Sequence, residues 1–160
     1  MTPSGSVTTI HQFGRTVHDS ALPAGGLVVI NGVLYGTTVS GGTYDCALSG
    51  SFLGCGTVFQ LMPSGQEKVI YNFTGQTDGA YPNQLIGMGG NLYGTAGGNY
   101  GCGAIFELTP SGQETTLYQF KGGSDGCGPA SGLIAAGGIF YGTTFSGGAH
   151  GFGTVYAFTP

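Results

Sequence analysis

Leu85-Ile86-Gly87-Met88-Gly89-Gly90-Asn91-Leu92-Tyr93-Gly94-Thr95 is an apolar run, a Gly-Gly dipeptide and a second run that ends in Tyr-Gly-Thr. Paired glycines accept positive φ at both central positions of a two-residue turn, so the stretch reads as a β-hairpin. The pattern recurs on either side. Asn31-Gly32 precedes Leu34-Tyr35-Gly36-Thr37, and Gly137-Gly138 precedes Phe140-Tyr141-Gly142-Thr143. Further out stand Asp19 to Pro23, Asp78 to Pro82 and Asp125 to Pro129, followed by Leu27, Leu85 and Leu133. After each hairpin come a Gly-Gly pair and then Gly56-Thr57-Val58-Phe59, Gly103-Ala104-Ile105-Phe106 or Gly153-Thr154-Val155-Tyr156. Pro3-Ser4-Gly5, Pro63-Ser64-Gly65 and Pro110-Ser111-Gly112 mark equivalent points. The chain is therefore one unit of about fifty residues written three times, over residues 3–62, 63–109 and 110–160, a period that belongs to propellers and related arrays.

Each unit reads as four short strands. Leu27-Val28-Val29-Ile30 and Leu133-Ile134-Ala135-Ala136 are nearly unbroken apolar runs, which suits a first strand covered on both faces. The second strand holds Tyr-Gly-Thr. The third alternates, as in Phe59-Gln60-Leu61, and a Pro-Ser-Gly turn leads into a fourth with Tyr71 and Phe73, or Tyr118 and Phe120, on one side. No stretch carries helical period with capping signals. The expected fold is all-β and propeller-like. Val7 to Phe13 repeats the fourth strand without a partner before it, and is expected to complete the last unit of this chain or of another. Known propellers have about four to eight blades, so two chains sealing one six-bladed ring is the leading arrangement. A three-bladed monomer, a β-trefoil and an open head-to-tail filament are the alternatives.

The chain has 160 residues and 35 glycines, but only three Lys and Arg and seven Asp and Glu. The glycines sit at repeated turn and strand positions, which makes them architectural. With Arg15, Lys68 and Lys121 as its permanent cations the chain has no basic stripe, which excludes nucleic acid as a natural partner. No continuous apolar span is long enough for a membrane helix. Cys46 and Cys55 share one long loop, while Cys102 and Cys127 fall in two. If these loops gather on one face, the even count favours disulfides Cys46–Cys55 and Cys102–Cys127 in an oxidising compartment, with four free thiols as the alternative.

The combined pattern of Asp-Gly-x-x-Pro, Leu-Tyr-Gly-Thr, Gly-Gly, Gly-Thr-Val-Phe and Pro-Ser-Gly resembles the GloVer tandem repeat of bacterial choice-of-anchor proteins, over essentially the whole chain. The resemblance implies a propeller-like array from an exported or surface-attached bacterial protein, and brings no established catalytic activity. Unit one departs from the pattern with His18-Asp19-Ser20 where Asp-Gly is expected, and with an inserted loop from Thr43 to Gly54.

Alternating connections place the tight turns on one face and the long loops on the other, with Arg15, His18, Asp19, Tyr44, Asp45, Asp78, Tyr81, Tyr100, Asp125 and His150. That face is where binding is expected. Asp19, Asp78 and Asp125 could converge on calcium, but an aspartate that recurs with its turn is better explained as the acceptor for that turn's backbone. His18, Asp19 and His150 could supply acid and base for a hydrolase or lyase acting on polysaccharide, yet no Gly-x-Ser-x-Gly elbow or His-Glu-x-x-His helix accompanies them. His11 stands where Tyr71 and Tyr118 stand, and reads as a packing residue. Tyr35, Tyr93 and Tyr141 recur in strands and read as packing too. Tyr44, Tyr81 and Tyr100 lie in loops out of register, and with Arg15 they are the expected ligand contacts. The expected function is a non-enzymatic binding or scaffold module without a cofactor, outside the cytoplasm, whose partners are itself as a homodimer and a glycan or surface protein. An enzyme of the kind named above and a purely structural or filament-forming subunit are the alternatives.

Overall fold

The computed structural model describes residues 5–14, 19–46 and 54–160. Three antiparallel sheets follow one another along the chain, none of them closed, and among the described residues there is no α-helix. The first sheet runs β1 (Ala21–Ile30), β2 (Val33–Ser40), β3 (Thr57–Leu61), β4 (Glu67–Asn72) in that order. In the second, β5 (Ala80–Pro82) and β6 (Ile86–Met88) both pair with β7 (Asn91–Gly97), which leads on to β8 (Ala104–Leu108) and β9 (Glu114–Gln119). In the third, β10 (Cys127–Pro129) and β11 (Ile134–Ala136) pair with β12 (Ile139–Ser146), and β12 pairs with β13 (Val155–Phe158). The first strand is thus whole in unit one and broken in the other two. Even in unit one its ladder shifts register between Ala24 and Val28.

The hairpins form as their dipeptides dictate. Asn31 and Gly32, Gly89 and Gly90, and Gly137 and Gly138 all have positive φ, the combination that matches the right-handed twist of the flanking strands. The Tyr-Gly-Thr and Gly-Thr-Val-Phe motifs turn out to be two halves of one contact. Gly36 pairs across the sheet with Phe59, Gly94 with Phe106 and Gly142 with Tyr156. A Cβ at Gly36 or Gly94 would come 2.6 Å from the Cζ of the facing ring, and one at Gly142 would meet the Tyr156 hydroxyl. The ring lies where a side chain would otherwise stand.

The core sits between units. Val58 and Phe73, in and just beyond the first sheet, pack with Leu85 and Phe106 in and beside the second, and Ile105 and Phe120, in and just beyond the second sheet, pack with Leu133 and Phe140 in and beside the third. Hydroxyls reinforce these junctions: Thr37 donates to the carbonyl of Asn83 at 3.1 Å, and Thr95 to that of Ser131 at 2.8 Å.

Two expectations meet a different outcome. The first strand is not covered on both faces: Val29 and all of β11 are exposed, because this strand has a neighbour on one side only and covers a junction on one face. Val7 to Phe13 forms no strand in the single chain and does not pair with β13. It lies instead on unit one, with the Phe13 ring against Phe59 and His11 Nδ1 donating to the Gly65 carbonyl at 3.2 Å. A backbone ladder needs a strand alongside, and no strand of the described residues stands on that segment's free side.

Gly94→Ala should lower stability by about 1–3 kcal/mol, because the added methyl displaces the Phe106 ring. Gly101→Ala, where nothing lies within 4 Å, should stay within about 0.5 kcal/mol of the parent. Urea unfolding of the two variants checks this.

Candidate functional site at the long-loop end

The recurring aspartates organise the loops that reach this end. Asp78 is buried, and its carboxylate accepts from the backbone N–H groups of Thr74 at 2.7 Å and Gln76 at 3.3 Å, from the Thr74 hydroxyl and from the Tyr71 phenol at 2.9 Å. Asp125 accepts from the Lys121 N–H at 2.7 Å and the Tyr118 phenol at 2.6 Å. Asp19 accepts from the N–H of Ser20 at 3.0 Å. Among the described residues no three His, Cys, Asp or Glu side chains are grouped to hold a metal ion. Burial first, and then the carboxylates of Asp78 and Glu114, push the Tyr71 phenol far up, while the hydrogen bond to Asp125 does most to raise Tyr118. Both phenols therefore remain neutral donors.

Disulfides draw the loops together. Cys46 is bonded to Cys55 within the β2–β3 connection, and Cys102 to Cys127 ties the β7–β8 connection to β10. A Cβ at Gly75, in the β4–β5 connection, would meet Cys46 Sγ and lie 3.4 Å from the Asn99 amide nitrogen, so three long loops share this end. Tyr81 holds a positive φ of 54° and donates its hydroxyl to the Cys46 carbonyl at 2.7 Å. Its phenol is raised by burial first, then by Asp45 and Tyr100 close by.

Beside this clamp is an open cleft of about 470 Å³ lined by Gln76, Thr77, Tyr100, Gln119 and the backbone around Cys102. Tyr100 is 76% exposed, and the Gln119 amide donates to the Thr77 carbonyl at 2.9 Å across the cleft. Among the described residues no charged side chain lines it. Of the tyrosines singled out above, Tyr100 lines the cleft, Tyr81 braces the loop beside it, and Tyr44 is exposed on the β2–β3 connection. Asp19 belongs to unit one, and His150 is exposed in the β12–β13 connection of unit three. His18 and Arg15 lie outside the described residues. Gln119 had a sequence signal of its own: Gln12, Asn72 and Gln119 put an amide between the two aromatic positions at the same point of each repeat.

These features define a disulfide-bonded, all-β tandem-repeat protein with an uncharged cleft among its long loops. The Gloeobacter/Verrucomicrobia repeat matches residues 1–160, and the chain belongs to that repeat family. A search of curated proteins found no match. No helix among the described residues is long and apolar enough to cross a membrane.

Glu114 packs beside Tyr71 at the junction under these loops, and burial holds its carboxyl above the usual range. A carboxyl that binds its proton more tightly folded than unfolded costs stability as pH rises from the ordinary carboxylate range through the raised value, and the full cost remains above it. Glu114→Gln should therefore raise the melting temperature at neutral pH. The gain should vanish in acid below the ordinary carboxylate range, as calorimetry across that interval would read.

Proposed function

We propose that the protein is a non-enzymatic binding module that takes a neutral glycan in the cleft at its long-loop end. The observation that carries this reading is the exposed Tyr100 ring beside the amides of Gln76 and Gln119, in a lining with no charged side chain among the described residues. A sugar presents one apolar face that stacks on an aromatic ring, and a rim of hydroxyls that exchange hydrogen bonds with amides and backbone groups. Hydroxyl groups need no ionic partner, which fits a chain so poor in charged residues. The setting is extracytoplasmic, where both disulfides persist. The architecture is a propeller-like array of three units, and two chains joined into a six-bladed ring are the assembly this reading favours.

A glycan array followed by titration of the strongest hit tests the reading. Tyr100→Ala should weaken that hit at least tenfold, about 1.4 kcal/mol, with an unchanged melting temperature. An array with no neutral glycan bound, or a hit indifferent to Tyr100→Ala and Gln76→Ala, would overturn it.

The disulfide that ties the cleft's β7–β8 connection to β10 gives a further expectation. Replacing Cys102 and Cys127 by serine should cost about 2–4 kcal/mol in urea unfolding, since the bond closes a long segment of chain.

A further inference from the structure

Positions equivalent in the repeat differ sharply in burial at the two ends of the array. Val58 and Ile105 are 0% exposed, whereas their counterpart Val155 in unit three is 79% exposed. Leu85 and Leu133 are 1% and 3% exposed, whereas their counterpart Leu27 in unit one is 51% exposed. The pattern has one cause. Val58 shares a core with Leu85, and Ile105 shares one with Leu133, so each junction buries a valine or isoleucine of one unit with a leucine of the next. Val155 and Leu27 are the unused halves of a third such junction. Thr143 fits the same account: Thr37 and Thr95 are buried and bonded to the next unit, while Thr143 is exposed.

The N-terminal segment stands ready for the same junction. Phe13 meets Phe59 at 5.0 Å between ring centroids, as Phe73 meets Phe106 at 5.1 Å and Phe120 meets Tyr156 at 5.0 Å. His11 lies edge-on to Phe13 as Tyr71 does to Phe73, and it is 3.3 Å from Glu67 where Tyr71 is 3.4 Å from Glu114. A Cβ at Gly65 would meet the Ile10 carbonyl, as one at Gly112 would meet that of Ile70. Residues 7–13 thus sit on unit one as β4 sits on unit two and β9 on unit three. They occupy the place of a fourth strand, while β13 pairs with β12 and with no other strand of the described residues.

We propose that the partner of each end is the opposite end of a second copy of this chain, docked head to tail. The inference rests on the propeller-like reading of the units and is independent of the glycan. Leu27 of one copy covers Val155 of the other, and the residue 7–13 segment, still seated on its own unit one, adds to the outer edge of β13. The register follows from the two ladders already present, in which Val58 faces Tyr71 and Ile105 faces Tyr118, with a bulge one residue on. Val155 then faces His11, Tyr156 faces Thr9 and Phe158 faces Val7, with Ile10 in the bulge. The surfaces that meet are different ones, so the contact is heterologous and either seals a ring or propagates.

Light scattering during size exclusion, without any ligand, tests this. The wild type should run above monomer mass, and Leu27→Asp and Val155→Asp should each lower that mass. Mixing the two variants leaves one intact junction per pair, so the mixture should give a one-to-one dimer and nothing larger. Circular dichroism verifies that each variant is folded. If either is not, Thr143→Arg replaces the tail variant, and the double substitution Thr8→Pro with Thr9→Pro replaces the head variant by removing successive ladder donors from an exposed segment. A wild type that is monomeric throughout the micromolar range, a folded variant that keeps the wild-type mass, or a mixture that stays monomeric would each overturn the proposal. None of these outcomes bears on glycan binding, whose failure would in turn leave the mass unchanged.

Discussion

An aromatic ring laid over a strand glycine is the contact on which every unit depends. Phe59 over Gly36, Phe106 over Gly94 and Tyr156 over Gly142 are cross-strand neighbours, so the ring takes up the space that a side chain on the second strand would fill. Its other edge meets Phe13, or Phe73 and Phe120 just beyond β4 and β9, at close to 5 Å and a steep angle, the edge-to-face geometry that adds about 0.5–1.5 kcal/mol beyond the area buried. One ring therefore belongs to two sheets. A unit removed from its neighbours would keep its ladder and lose half of that contact, which is why single units of such arrays do not stand alone.

The residue after the glycine completes the coupling. Thr37 and Thr95 send their hydroxyls to backbone carbonyls of the following unit, at positions where the broken first strand leaves carbonyls without a ladder partner. The irregularity of that strand and the threonine of Tyr-Gly-Thr are one arrangement, since a carbonyl freed from a ladder and then buried needs another donor. Tyr156 shows the cost of departing from it. Its hydroxyl points into the packed space beside Gly142 with no partner among the described residues, and burial pushes the phenol up to about 12.

The hairpins and the antiparallel all-β order were legible in the sequence because they rest on neighbours in the chain: two residues of positive φ, an alternating run, a Pro-Ser-Gly turn. Burial was not. Leu27 and Leu85 occupy the same place in the pattern and differ because one has a preceding unit against it and the other does not. The expected coverage of both faces of the first strand failed for a separate reason, since even β11, with a unit before it, covers a junction on one face only and is exposed. Tyr100 stood out in the sequence as a loop aromatic that breaks the repeat. Gln76 and Thr77 could not be singled out, because what brings them to the cleft is the Asp78 turn, which bends the β4–β5 connection back on itself.

The two ends of the units answer to different constraints. At the tight-turn end the chain repeats itself closely, since a two-residue hairpin admits few sequences. At the other end the loops differ from unit to unit in length and content, and both disulfides are found there. Loops with few ladder bonds lose their order readily, and ordering them at the moment of binding would be charged against affinity. A bond from Cys102 to Cys127, a carboxylate at Asp78 holding four donors and the Tyr81 clamp on Cys46 remove much of that entropy in advance. Among the described residues the variable end is accordingly stiffened by its own bonds. Stiffness where the sequence is least repetitive is what the proposed glycan binding would draw on, since a loop ordered in advance loses less of its binding energy to ordering.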